Sequence, residues 1–196
     1  IGKAFRNEIP TKNFIFRSRE FEQGEIEFFI KPGDAEGKKW FEQWLNDWQQ
    51  FFLDLGLSAK NLHLRAHKKS ELAHYSRATV DIEYKFPFGW AELAGVANRT
   101  DFDLKRHSQV SGKDLTFFDE EKKEKYYPWV IEPTMGIDRT VLAILCEGYS
   151  EYPQGRSGKG EKEIVLEIDP RLAAYKAAIL PLTRDEKLVK VAKSIV

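Results

Sequence analysis

Glu132-Pro133-Thr134-Met135-Gly136-Ile137-Asp138-Arg139 joins a strand end, a glycine turn and a helix start that carries an arginine. The helical pattern runs on from Asp138 to Tyr149, with Val141, Leu142, Leu145 and Tyr149 placed to face inward. Cys146 adjoins that stripe and reads as a small packing residue. A strand that feeds directly into a helix implies a mixed fold, with a sheet on one side and helices packed on it.

Working outward, the rest of the chain alternates sheet and helix. Asn13 to Ile30 has a period of two, with Phe14, Phe16, Ile26, Phe28 and Ile30 on one parity and Arg17, Arg19, Gln23, Glu25 and Glu27 on the other. From about Ala35 to Leu55, Trp40, Phe41, Trp44, Leu45, Trp48, Phe51, Phe52 and Leu55 recur at helical spacing, and Gly56 is placed to end the helix. A helix packed on a sheet explains that tryptophan stripe better than a stacking platform for bases. Leu62, Leu64 and Ala66 alternate with His63, Arg65 and His67, which predicts a strand and makes the His pair a poor metal site. Thr79 to Phe86 is a further strand, Asp119 to Lys125 a solvated turn, and Glu163 to Ile168 a strand broken by Asp169-Pro170-Arg171. Ala177 to Leu182 is expected to be another strand, followed by a short helix with Leu188, Val191, Ala192 and Ile195 on one face. A strand and one helix cannot bury a core alone, so residues 174–196 read as the opening of a second domain, and both chain ends read as cut.

The 196 residues carry 31 Lys+Arg, 31 Asp+Glu and 42% hydrophobic residues, enough for a folded core and too balanced for a general polyanion coat. The single cysteine excludes a disulfide framework or a cysteine zinc site. No apolar run approaches the ~20 residues of a membrane span and no signal-like start is present, so no membrane role and a cytoplasmic location are expected.

Charge is uneven near the start. Lys3, Arg6, Lys12, Arg17 and Arg19 face only Glu8, whereas Glu20, Glu22, Glu25 and Glu27 follow with no base among them. Such a face suits a ligand with phosphate at one end and ammonium at the other; an ordinary wet face of an antiparallel strand explains the same pattern.

Three stretches carry a more specific signal. Phe5-Arg6-Asn7-Glu8 precedes a turn through Pro10-Thr11-Lys12-Asn13 and a second strand from Phe16 to Phe21. Phe88-Gly89-Trp90-Ala91-Glu92-Leu93 leads into Asn98-Arg99-Thr100-Asp101-Phe102-Asp103-Leu104, and the third is the opening stretch, Glu132 to Arg139. Together they resemble the catalytic core of class II aminoacyl-tRNA synthetases, the first stretch looking like motif 2 and the last like motif 3. Arg6-Asn7-Glu8, the run from Arg19 to Glu27, Ala73-His74-Tyr75-Ser76, Arg99 to Leu104 and Ile131-Glu132-Pro133 are similar to the homodimeric glycyl-tRNA synthetases. The resemblance covers nearly the whole chain.

The resemblance implies an α+β fold: an antiparallel β-sheet flanked by helices, with residues 1–173 a catalytic domain that lacks motif 1 and residues 174–196 the start of an α/β anticodon-binding domain. It implies an enzyme that joins glycine to ATP, with Mg²⁺, and passes the glycyl group to tRNA(Gly), as a homodimer at full length, the isolated piece being inactive. A non-catalytic synthetase-like module for RNA or protein contacts is the alternative; the presence of Arg6, Glu8, Glu25, Glu132 and Arg139 favours an enzyme. Arg6, Glu8 and Arg139 take catalytic roles by resemblance. ATP falls to Arg6, Asn7 and Glu8, to Phe16, Arg17, Ser18, Arg19, Glu20 and Phe21, to Glu92 (also a Mg²⁺ contact) and Leu93, and to Gly136, Ile137, Asp138 and Arg139. Glycine falls to Phe21, Glu22, Gln23, Gly24 and Glu25, and to Glu132, Pro133, Thr134, Met135 and Gly136, with Glu25 and Glu132 caging the ammonium. Thr134 stands where the family usually has Ser, keeping the hydroxyl and adding a methyl.

Overall fold

The structure, a computed structural model, describes residues 1–74 and 76–195; Tyr75, part of the Ala73–Ser76 resemblance, lies outside them. Its elements in chain order are β1 (Gly2–Phe5), β2 (Glu20–Glu25), β3 (Phe28–Ile30), α1 (Asp34–Asp54), β4 (Leu62–Ala66), β5 (Ala78–Phe86), β6 (Gly89–Thr100), α2 (Phe102–Ser111), β7 (Phe117–Asp119), β8 (Glu124–Tyr126), β9 (Trp129–Gly136), α3 (Ile137–Gly148), β10 (Tyr149–Tyr152), β11 (Glu163–Leu166) and α4 (Glu186–Ile195). Seven strands form one sheet in the order β1-β2-β9-β6-β5-β4, with β3 also on β9, and every pairing is antiparallel.

The helices bury one face of this sheet. The aromatic stripe of α1 packs on Ile30, Val96 and Ile131 through Trp40, Phe41, Trp44 and Trp48. Phe52 is fully buried with Ile82, Tyr84 and Leu93, where α3 contributes Ala143. Asp34 and Glu36 in the first turn of α1 complement its dipole, and Gly56, at φ +94°, turns the chain out of the helix. The opposite face of the sheet is open and polar, because pleating alternates the side chains of each strand between the two faces.

Two local irregularities shape the open face. Between β5 and β6 the register shifts at Ile82/Glu83, leaving Leu93 as an extra residue of β6. Leu93 and Ala94 are therefore both buried, and Glu92 stands clear of the core. A second shift lies between Asn98 and Thr100, where β6 leaves β9 and Thr100 takes φ +55°.

Several expectations need correction. Asn13–Ile30 is not one strand: Asn13 and Phe14 have positive φ, Phe14–Phe16 is a 3-10 turn, and β2 starts only at Glu20. Arg17 accordingly leaves the array expected on one sheet face and folds back onto Glu8. From Glu20 to Ile30 the period of two holds, since Glu25 opposite Thr134 and Phe28 opposite Ile131 keep one register along β9. In α3 the buried positions are Thr140, Ala143 and Gly148 while Val141 is exposed, because the sheet meets the helix on the Thr140–Ala143 side; the expected inward Tyr149 lies past the helix in β10 and is exposed. Ala177–Leu182 forms no strand among the described residues, since no neighbouring segment offers it a ladder. The expected charged turn is the tip of the β7–β8 hairpin, and Glu163–Leu166 pairs with β10.

Candidate functional site

A cavity of about 90 Å³ opens where the loop before β2 crosses the ends of β6 and β9. Arginines define it. Arg139, in the first turn of α3, donates from Nη1 to the Glu92 carbonyl at 2.9 Å and to the Glu92 carboxylate at 3.1 Å, and from Nε to the Phe16 carbonyl at 3.2 Å. Its guanidinium lies 4.4 Å from the centre of the Phe16 ring, which is held edge-on by Phe86 and Phe88. Arg17 donates to Glu8 at 3.0 Å, and its buried Nε is without a hydrogen-bond partner among the described residues. Arg6 lies 5.4 Å from the centre of the Phe21 ring. The start of α3 is tied to β2 by the Glu22 amide, which donates to the Asp138 carboxylate at 2.7 Å.

A second, more open cavity of about 220 Å³ continues along the sheet and shares Glu92 and Thr134 with the first. Its walls include Glu132, Arg99, Gly95 and Asp81. Beside it, carboxylate oxygens of Glu25, Glu27 and Glu132 lie within 4.8 Å of one another. The common register explains this: with Glu25 opposite Thr134 and Phe28 opposite Ile131, Glu27 falls opposite Glu132 on the same face. Burial pushes the Glu132 carboxyl up to about 7; the Arg99 guanidinium opposes that rise, and the Glu27 and Glu25 charges add to it. Burial also raises Glu27, which hydrogen-bonds Glu132, so the two carboxyls hold a proton as a pair. Arg99 donates to Glu132, at 3.1 Å to Oε2, and is itself gripped by both oxygens of Asp103 at 2.7 and 3.1 Å.

The folded chain thus gathers Arg6, Glu8, Phe16, Arg17, Ser18, Phe21, Glu22, Gln23, Glu92, Leu93, Thr134, Met135, Gly136, Asp138 and Arg139 around one cavity, with Glu25 and Glu132 nearby along the sheet. Other expected residues lie off the cavity lining. Gly24 faces the helices, where an added Cβ would meet Met135 and Ile137 at 3.4–3.6 Å, and Pro133 is fully buried. Glu20 pairs with Lys3 on the outer edge, Arg19 donates to the Glu8 carbonyl, and Asn7 and Ile137 are not lining residues. The sequence reading places Glu27 on the charged face but not among the glycine contacts, and it gives no role to Arg99 or Asp103. Glu27 was legible from its parity with Glu25; the Arg99–Asp103 clamp depends on a turn that periodicity does not reveal.

Comparison with known proteins places these features in context. Residues 1–148 match the model of the tRNA synthetase class II core domain (G, H, P, S and T). A glycine–tRNA ligase of Thermobifida fusca is 50% identical over 199 aligned residues, covering 100% of this chain and 43% of the relative. One of Clostridium tetani is 57% identical over 188 residues, covering 95% and 39%. The chain therefore spans about two fifths of the length of the curated relatives it matches. Among solved structures, seryl-tRNA synthetase from Pyrococcus horikoshii complexed with ATP superposes with a TM-score of 0.64 at 20% identity over 76% of this chain and 32% of that one, a likeness of fold.

Proposed function

Because this chain belongs to the class II tRNA synthetase core family, we propose that it is the adenylate-forming part of a glycine–tRNA ligase. The observation that carries this reading is the meeting of two opposite surfaces at Thr134. Arginines Arg6, Arg17 and Arg139 line the cavity on one side, and carboxylates Glu25, Glu27 and Glu132 cluster on the other. Glycyl-adenylate has that polarity: phosphate and purine at one end, an ammonium at the other. Glycine has no side chain to read, so recognition rests on gripping the ammonium and leaving no room for a methyl.

In the reaction a glycine carboxylate oxygen bonds to the α-phosphorus of ATP as the bond to the β-phosphate oxygen breaks, and pyrophosphate departs with that electron pair. Arg6 neutralises the α-phosphate and carboxylate, and Arg139 holds the γ-phosphate after leaving Glu92. Phe16 and Phe21, both beside guanidinium groups, offer faces for the adenine. The hydroxyl at the 3′ end of tRNA(Gly) then attacks the glycyl carbonyl and AMP leaves. The exposed Glu92 carboxylate is a hard oxygen donor that would hold Mg²⁺, which would supply charge neutralisation on the phosphates. Glu25 and Glu132 take the ammonium, joined by Glu27. No helix among the described residues is long and apolar enough to cross a membrane. The wider reading adds a homodimer acting in the cytoplasm, with residues 174–196 opening an anticodon-binding domain.

Calorimetry of the 196-residue chain with a non-hydrolysable glycyl-adenylate analogue tests the reading. Saturable one-site binding, with the alanyl analogue at least about tenfold weaker, is expected from one methyl in a filled pocket. Equal affinity for both, or no binding of either, contradicts it.

A further inference from the structure

Arg99 and Asp103 sit at a corner built with some strain. Asn98, 4% exposed, accepts the Thr100 amide on Oδ1 at 3.1 Å, and Thr100 holds φ +55°, a conformation that branched side chains rarely adopt. The corner ends β6 and starts α2 at Phe102, which sets Asp103 one helical turn beyond Arg99. Both Asp103 oxygens then accept from Arg99, through Nε at 2.7 Å and Nη2 at 3.1 Å. That fork leaves Nη1 aimed across the sheet at Glu132, 3.1 Å from Oε2 and 3.3 Å from Oε1. The side chains of Arg99 and Glu132 are 20% and 12% exposed, so water competes weakly for either.

We propose that Arg99, locked in place by Asp103, is a positioning residue that fixes the Glu132 carboxylate for the ammonium of the amino acid. The inference rests on the reading of this site as an amino-acid pocket. Glu25, Glu27 and Glu132 crowd one another, and a cation beside one of them holds it in place and favours its charged form against burial and the neighbouring acids. A bidentate grip fixes the plane of the guanidinium, and a fixed guanidinium fixes its third partner. The corner therefore converts backbone strain at Thr100 into the orientation of a side chain on β9, the neighbouring strand. Among the described residues, the charged groups that act on Glu132 are Arg99 on β6, Glu25 on β2 and Glu27 after it, while Asp103 on α2 acts on Glu27 and holds Arg99. His67, Glu71 and Asp81 line the same cavity from the β4–β5 side.

The test is glycine-dependent pyrophosphate exchange by the full-length protein. In Arg99→Gln the KM for glycine should rise by about tenfold or more, the loss expected for a charge-assisted hydrogen bond, while the KM for ATP stays within about twofold. The pH at which glycine kcat/KM reaches half its plateau should move up, since removing a cation disfavours the ionised carboxyl. Arg99→Lys should restore that pH profile but not the KM, because it returns the charge without the fork. Asp103→Asn, which keeps Arg99 but loosens its grip, should raise the glycine KM by a smaller factor. The proposal is overturned if the glycine KM of folded Arg99→Gln and Asp103→Asn stays at the wild-type value. It is equally overturned if KM for glycine and ATP rise together, which marks a structural role. Wild-type protein with no glycine-dependent exchange overturns the functional reading and this inference with it.

Discussion

Arg139 and Glu92 face each other across the mouth of the cavity, with the guanidinium bonded to both the carbonyl and the carboxylate of the same glutamate. The arginine proposed to hold a phosphate is thus bonded to the residue proposed to meet Mg²⁺, and the Phe16 ring lies 4.4 Å from its guanidinium.

This arrangement predicts distinct effects for its two members. Arg139→Ala removes charge neutralisation from the departing pyrophosphate and should lower kcat for exchange by about 10²–10³-fold, as loss of one preorganised donor does. Glu92→Gln frees Arg139 and should weaken only the response to Mg²⁺, shifting its titration to higher concentration. Mg²⁺ titrations of exchange at saturating ATP and glycine check both.

Thr134 lies at the junction of the two cavities, and its carbonyl accepts the Trp48 indole N–H at 3.1 Å, which fixes the backbone there from the helix side. Its methyl should narrow the pocket against alanine. Thr134→Ser is expected to keep glycine activation and lower the glycine-to-alanine ratio of kcat/KM. Thr134→Val should impair glycine activation by about 1–3 kcal/mol, the cost of an unpaired polar partner. An unchanged ratio in the first and normal activation in the second would make Thr134 a bystander that serves the turn before Gly136.

The carboxyl pair predicts a pH dependence of stability. Glu132 is held up at about 7 in the fold against 4.5 for a free side chain, and Glu27 moves in the same direction. Between those values the folded state holds a proton that the unfolded state releases. The stabilisation is complete below pH 4.5 and is lost as pH rises through about 7. In Glu132→Gln the fall in Tm from pH 5 to pH 8 should be smaller than in wild type; an equal fall contradicts the assigned proton.

Gly37 predicts a packing cost. A Cβ there would lie 2.9 Å from the Trp129 ring and 3.0 Å from the Asn98 amide, so α1 approaches β9 closely only because this position is bare. Gly37→Ala should destabilise by about 1–3 kcal/mol in urea unfolding, although alanine is the better helix former. A neutral or stabilising result would show that the helix has room to shift.

How far the sequence revealed this molecule varied with the range of the interaction. The α1 stripe from Trp40 to Phe52 was legible because a helix repeats its own signal over several turns, and the β2–β3 alternation was legible from Glu20 onward. The 3-10 turn at Phe14–Phe16 was not, since positive φ at Asn13 and Phe14 reflects the arginine loop closing on Glu8. The rotation of α3 that exposes Val141 is set by the sheet beneath it, which apolar spacing alone does not encode. At the candidate site, Arg6, Glu25, Glu132 and Arg139 come from the motifs that carry the family resemblance. The parity of Glu27 with Glu25 is legible, but its place opposite Glu132 comes from strand register and the Arg99–Asp103 clamp from a backbone corner, which are tertiary facts.

The most direct measurement is pyrophosphate exchange by the full-length protein with a panel of small amino acids, run beside Glu25→Gln. Glycine should stimulate exchange, and alanine and serine should do so at least about tenfold less well. Glu25→Gln should cost glycine use about 2–5 kcal/mol while leaving the ATP KM in place. Exchange driven equally by alanine, or an unaltered glycine kcat/KM in Glu25→Gln, would contradict the proposed function.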